Sequence, residues 1–221
     1  MNKKIGTVTV FGATGYTGTS IVGELLARSA SVTGVARDVS LPSPKKEDRL
    51  ELVAGSLDDD DFRQEVTRGR DAVVLAVPAR LENGQELAGL VPQLLREAEA
   101  DGYRLGIVGG AGTLQVQAGG PTFMDHADFP AAARGNAESH SRLLKALQDS
   151  RSEAEWFYLS PPARYGLRFP GKKESRYRLG KDVLVADEAG ISTISSEDYA
   201  AAFVDELFHG RHIRTRFSVG Y

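Results

Sequence analysis

Residues 8–18 read Val8-Thr9-Val10-Phe11-Gly12-Ala13-Thr14-Gly15-Tyr16-Thr17-Gly18. The first four are β-branched or aromatic and suit a strand. The glycines that follow suit a tight turn. Ile21, Val22, Leu25 and Leu26 then recur at helical spacing, so a helix follows and ends near Arg28-Ser29. Strand, Gly-rich turn and helix in this order make a phosphate cradle. The first glycine permits the turn, the second lets backbone approach a pyrophosphate, and the third lets helix and sheet pack closely. The helix N-terminus adds free amides and the positive end of a dipole. Gly12, Thr14, Gly15, Tyr16, Thr17 and Gly18 are therefore the expected pyrophosphate-binding residues of a dinucleotide site. The alternative is a Gly-rich loop without a ligand.

Outward from this unit the pattern alternates. Strands are predicted at Val32–Ala36, Leu50–Val53, Ala72–Val77, Leu105–Val108 and Trp156–Leu159. Helices are predicted at Asp58–Arg68, Leu87–Ala100 and Ala131–Asp149. Asp58 to Asp61 suit the positive end of a helix dipole. The continuous apolar run of residues 72–77 suits a central parallel strand covered on both faces. Such alternation predicts a parallel sheet with helices on both faces and right-handed crossovers. Leu41 to Glu47 and Gln117 to Pro130 read as long loops. Beyond Pro161-Pro162 the pattern changes. Tyr177–Leu179 and Val183–Val185 suggest a hairpin around Gly180-Lys181-Asp182. An amphipathic helix is expected over Ser196–His209, capped at Ser195, and a last strand over Arg214–Val219. We therefore expect a single domain over residues 1–221, with residues 163–195 contributing a small lobe on the substrate side.

Composition narrows the function. The 221 residues make one domain of ordinary size that needs no covalent staple. There are no cysteines, which excludes disulfides, thiolate metal sites and a cysteine nucleophile, and fits a reducing compartment such as the cytoplasm. A net charge of −3 gives no footprint for nucleic acid. No apolar run approaches a membrane span, and the short run Ile5–Phe11 reads as a strand, not a signal peptide. No spacing matches a metal motif: His126 with Asp125 and Asp128 is a poor ligand set.

About twenty residues past the turn, an acidic residue would hold the ribose of NAD. Here the second strand ends in Arg37-Asp38. Arg37 offers a fork of donors suited to a 2′-phosphate. NADPH is therefore the expected cofactor, and Asp38 keeps NADH open as the alternative.

Several stretches now identify a family resemblance. Gly12-x-x-Gly15-x-Thr17-Gly18, Val35-Ala36-Arg37-Asp38 and the segment Leu144 to Pro162 resemble the atypical short-chain dehydrogenases. Val108 to Thr113, Trp156 to Pro161, Tyr177 to Gly180, Ile194 to Ala200 and Arg216 to Tyr221 are similar to the NADH-flavin reductase group, with its NmrA-like and biliverdin/flavin reductase relatives. The resemblance implies a Rossmann-type doubly wound parallel sheet with NAD(P)H across the strand carboxyl ends. It implies that Ser56 and Leu57 lie at the adenine, in place of an Asp found in many relatives. It also implies that Ala76, Val77 and Pro78 line the way to the nicotinamide ribose. Gly109, Gly110, Thr113, Ser160 and Pro161 would border the nicotinamide.

Short-chain dehydrogenases usually carry Tyr-x-x-x-Lys on the helix after the fifth strand. That helix here has Asn136 and His140 at the corresponding positions, and we read the pair as missing from the chain. Without the Tyr acid, carbonyl reduction loses a proton donor worth roughly 10²–10⁴-fold. Flavin reduction has a lower demand, because the cofactors carry the chemistry. The resemblance extends to His140, which matches a His of the flavin reductases. The expected function is an NADPH-dependent oxidoreductase that reduces FMN, FAD or a similar planar acceptor, bound as substrate and not as a prosthetic group. His140, Thr113 and Ser160 would orient the reacting rings. The alternative is a non-catalytic NAD(P)-sensing regulator of the NmrA-like kind, acting on a protein partner. An epimerase is the third reading. His209 and His212 are read as structural and Trp156 as core. Tyr165, Phe169 and Tyr177 form either a flap over the substrate or packing for the small lobe.

Overall fold

The computed structural model describes residues 4–39, 48–127 and 129–221. The predicted loop Leu41–Glu47, and Asp128 beside His126, lie outside them. The elements are β1 (Thr7–Phe11), α1 (Tyr16–Ala27), β2 (Ser31–Ala36), β3 (Leu50–Ala54), α2 (Asp60–Thr67), β4 (Ala72–Leu75), α3 (Leu87–Asp101), β5 (Arg104–Val108), α4 (Arg134–Asp149), β6 (Trp156–Ser160), β7 (Arg178–Gly180), α5 (Ser196–His209) and β8 (Thr215–Gly220). All strands join one sheet in the order β3-β2-β1-β4-β5-β6-β8-β7. Every neighbouring pair is parallel except β7 with β8. This is the expected doubly wound α/β sheet. Strands are added in one direction from β1 to β3 and in the other from β4 onward, so the carboxyl ends of β1 and β4 form the switch point where ligands bind in such sheets.

Two cores flank the sheet. On one face α1 and α5 cover it, with Ile21, Leu25, Tyr199 and Phe203 among the buried residues. On the other face α3 and α4 supply Leu90, Leu94, Leu143 and Leu147. Trp156 is buried in this second core, as its sequence setting suggested. Ser195 caps α5 by accepting from Asp198 N at 3.1 Å.

Three expectations need correction. The strand over residues 72–77 stops at Leu75, because the turn at Gly12 carries the neighbouring strand away. Ala76 N still reaches Phe11 O at 2.9 Å. The helix over residues 131–149 is interrupted at its start: Ala131–Ala133 form a 3-10 turn, and the α-helix begins at Arg134. Most notably, Tyr177–Leu179 and Val183–Val185 do not form a hairpin. β7 pairs instead with β8, Leu179 opposite Val219. The edge of β8 offers a longer run of free backbone groups than the short 183–185 segment does. Val183 makes an isolated bridge to Gln115.

Residues 163–195 are otherwise irregular and are held by named bonds. Asp198, buried on α5, accepts from Glu174 N at 2.7 Å and from Ser175 N at 3.1 Å. Tyr165 packs against Tyr199 at 4.8 Å between ring centroids. Tyr177 donates to Asp205 of α5.

Candidate functional site

The Gly-rich turn owes its shape to two close approaches. Gly12 has φ +80°, and a Cβ there would stand 2.3 Å from Ala76 O. A Cβ on Gly18 would stand 2.0 Å from Gly12 O. No larger residue fits either place. Gly15 is the N-cap of α1 and supplies no side-chain oxygen, so the first-turn amides of α1 have no side-chain cap. That is the donor arrangement a pyrophosphate needs.

Beside this turn lies a cavity of about 670 Å³. Gly12, Thr14, Gly15, Arg37, Ser56, Leu57, Ala76, Val77 and Pro78 line it, all of them expected cofactor residues. The residues around the cavity suit a dinucleotide on three counts: uncapped amides, a glycine surface that a Cβ would fill, and a cation at the far rim. Tyr16, Thr17 and Gly18 stand just beyond this cavity in the first turn of α1. Thr17 Oγ1 lies 3.0 Å from Tyr165 Oη, and the Tyr16 and Tyr165 rings meet edge-on at 5.5 Å. Tyr165 therefore packs on α1 and α5, and Phe169 is 48% exposed.

Sequence reasoning missed the opposite wall. Leu81, Glu82 and Asn83, between β4 and α3, also line the cavity. Glu82 pairs with Arg37, and Asn83 Nδ2 donates to Asp58, which also accepts from Ser56 Oγ. This segment is a strap across the end of the cavity that Arg37, Ser56 and Asp58 line. The Asn83-Gly84 turn signal marked it in the sequence, and Gly84 has φ +87°.

Gly109, Gly110, Thr113, His140, Ser160 and Pro161 gather at the carboxyl ends of β5 and β6, outside the described cavity. Thr113 Oγ1 accepts from Arg216 Nη1 at 3.1 Å; Arg216 donates through Nε and Nη2 to Asp182 Oδ1 at 2.9 and 2.6 Å. His140 is buried on α4, and its Nδ1 lies 2.9 Å from Tyr158 Oη. Burial pushes the imidazole down to about 4. Ser160 is fully buried, and its Oγ has no hydrogen-bond partner.

Asn136 is exposed on α4, one turn from His140. One correction concerns the missing pair. The spacing Tyr-x-x-x-Lys does occur, at Tyr177 to Lys181, but it runs through β7 and the following turn. A strand does not bring residues four apart into the helical neighbour geometry, and Tyr177 is committed to Asp205. On α4 the pair is absent. Buried Tyr199 donates to Leu159 O at 2.8 Å. His209 and His212 hold structural contacts, with Asp205 O and Glu206 respectively. His126 lies after a 3-10 turn, Phe123–Asp125, where Phe123 meets Phe129 edge-on at 5.0 Å.

The family model described as NAD(P)H-binding matches residues 12–210. The chain belongs to this NAD(P)H-binding family, and its kinship with the atypical short-chain dehydrogenases holds. It is 34% identical over 220 residues to the uncharacterized protein YwnB of Bacillus subtilis, covering 98% of this chain and 97% of that one. Among solved structures it is similar to a "putative epimerase" from Bacteroides thetaiotaomicron (31% identity, TM-score 0.86, 99% of this chain and 98% of that chain). It is also similar to a "putative NADH-flavin reductase" from Streptococcus pneumoniae (28% identity, TM-score 0.74, 97% and 98%). Among the described residues no helix is long and apolar enough to cross a membrane.

Proposed function

We propose that this chain is an NADPH-dependent oxidoreductase that reduces a flavin or a similar planar acceptor, held as a dissociable substrate. One observation carries the reading: the cavity at the β1/β4 switch point joins the uncapped N-terminus of α1 to a guanidinium, Arg37, at the end of β2. A 2′-phosphate is the group that an exposed guanidinium fork at this place recognises, in exchange for its ion pair with Glu82. The similarity to a structure named for NADH-flavin reduction supports the reaction class.

When bound, the reduced nicotinamide supplies a hydride, and the acceptor takes its proton from solvent. The chain's own work is binding and orientation. The α1 amides and the glycine surface hold the pyrophosphate. Arg37 grips the 2′-phosphate, and Ser56 and Leu57 border the adenine. Thr113, His140 and Ser160 orient the rings, beside Gly109, Gly110 and Pro161. Residues 163–195 form the substrate-side lobe. The cysteine-free composition fits a reducing cytoplasm.

The test is NADPH oxidation followed by absorbance, in parallel with NADH, with FMN, FAD, riboflavin and a small quinone as acceptors. Saturable turnover above background, faster with NADPH, supports the reading. Tight nucleotide binding without turnover favours the second reading, an NAD(P) sensor with a protein partner. The observation behind that alternative is that α4 carries exposed Asn136 where a Tyr acid would stand.

A further inference from the structure

His140 and Tyr158 form a buried pair whose protons can be placed by accounting. Tyr158 Oη accepts from Gly110 N at 2.8 Å and lies 2.9 Å from His140 Nδ1. The rings meet edge-on at 6.2 Å. Glycine is what lets them close on the end of β5. A Cβ on Gly109 would stand 2.2 Å from the Tyr158 ring, and one on Gly110 2.9 Å from His140 Cγ. A phenol has one O–H, and a buried one needs an acceptor. The Gly110 amide is a donor and cannot accept it. His140 Nδ1 is the acceptor in reach, so it carries no proton, and the neutral ring bears its proton on Nε2. Among the described residues Nε2 has no hydrogen-bond partner. His140 as a whole keeps 7% of its exposure.

We propose that Tyr158 is a positioning residue: its hydroxyl, itself fixed by the Gly110 amide, holds His140 as the Nε2–H tautomer, so that the site presents a neutral hydrogen-bond donor and not an exchangeable acid. Burial acts in the same direction by keeping the imidazole neutral. The titratable and charged groups around the ring are Tyr158 on β6 and, acting on Tyr158, Arg216 on β8. On its own helix, Arg142 is committed to Glu86 at the start of α3, and Glu138 acts on Arg142. None of these supplies a carboxylate that would favour imidazolium. A site of this kind suits an acceptor that offers a carbonyl or ring nitrogen to Nε2–H and draws its proton from water. It does not suit a simple ketone that must be protonated by the enzyme.

The assignment rests on the proposed reductase reading only for what Nε2–H meets. The test is nuclear magnetic resonance of the intact chain with ¹⁵N-labelled histidine, the signal being assigned by its loss in His140→Gln. The parent should show the neutral Nε2–H pattern, with no protonation step from about pH 8 down to about pH 5. Tyr158→Phe should convert that pattern into a mixture of both tautomers. An Nδ1–H pattern in the parent overturns the proposal, whether or not the variant folds. So does an unchanged pure Nε2–H pattern in folded Tyr158→Phe. Adding NADPH and FMN separates the two readings. Failure of both to bind removes the reductase reading and leaves the tautomer result standing.

Discussion

At the scale of single residues, one glycine and one arginine separate two demands of the proposed site. Gly12 combines a left-handed backbone with a 2.3 Å approach to Ala76 O. Gly12→Ala should therefore lose roughly 1–3 kcal/mol of stability, read as a lower denaturant midpoint, and should weaken both nucleotides alike. Arg37 behaves differently, because it is exposed and, on the proposed reading, would serve one phosphate. Arg37→Ala should weaken NADPH by roughly 10–100-fold, the worth of a charge-assisted hydrogen bond, and leave NADH within about twofold. Calorimetry on the same sample decides; equal loss of both nucleotides refutes the 2′-phosphate assignment.

At the scale of elements, the strap between β4 and α3 sets the terms on which Arg37 works. Glu82 on the strap pairs with Arg37, and Asn83 ties the strap to Asp58 after β3. Both members of the Arg37–Glu82 pair are largely exposed, so the pair contributes little to stability. It does place a carboxylate where the 2′-phosphate would bind. Glu82→Gln should leave the melting temperature unchanged and tighten NADPH by roughly 2–10-fold, with NADH nearly unmoved. Unchanged NADPH affinity would remove Glu82 from cofactor choice without touching the Arg37 assignment, which the preceding variant tests.

At the scale of the molecule, stability depends on cations taken out of water. Arg63 is fully buried on α2. It donates to both oxygens of Glu97 on α3, at 3.0 and 2.8 Å, and to Leu57 O at 2.7 Å. It thereby ties the helix after β3 to the helix after β4. Arg63→Ala strands Glu97 and should cost roughly 3–5 kcal/mol, measured by urea unfolding. Acid works through His140. Its folded value, about 4, lies below the ordinary 6.5, so below that value the unfolded chain binds the extra proton. The contribution is complete above about pH 6.5 and is lost as pH falls toward about 4, roughly 3 kcal/mol in all. Glu86, held near 2 chiefly by its hydrogen bond from Arg142, adds its own loss only below about 4.5. The slope of stability between about pH 6.5 and 4.5 should therefore shrink in His140→Gln, as unfolding curves across pH would report.

The sequence was sufficient wherever local chemistry decides. Residues 8–18 specify strand, turn and helix because backbone sterics and hydrophobic period act over neighbours, and the alternation to Ser160 specifies the parallel sheet in the same way. Tertiary structure alone decided the remainder, because it depends on groups distant in the chain. Only the folded sheet shows that Arg178–Gly180 pairs with β8 and not with residues 183–185, since free backbone edges have no signature in side-chain order. Only packing joins Tyr158 to His140 across eighteen residues, and only loop closure sets Glu82 against Arg37. Burial favours a hydroxyl or guanidinium that finds a partner, as Tyr158 and Arg63 do, and no spacing rule in the chain records which partner that is.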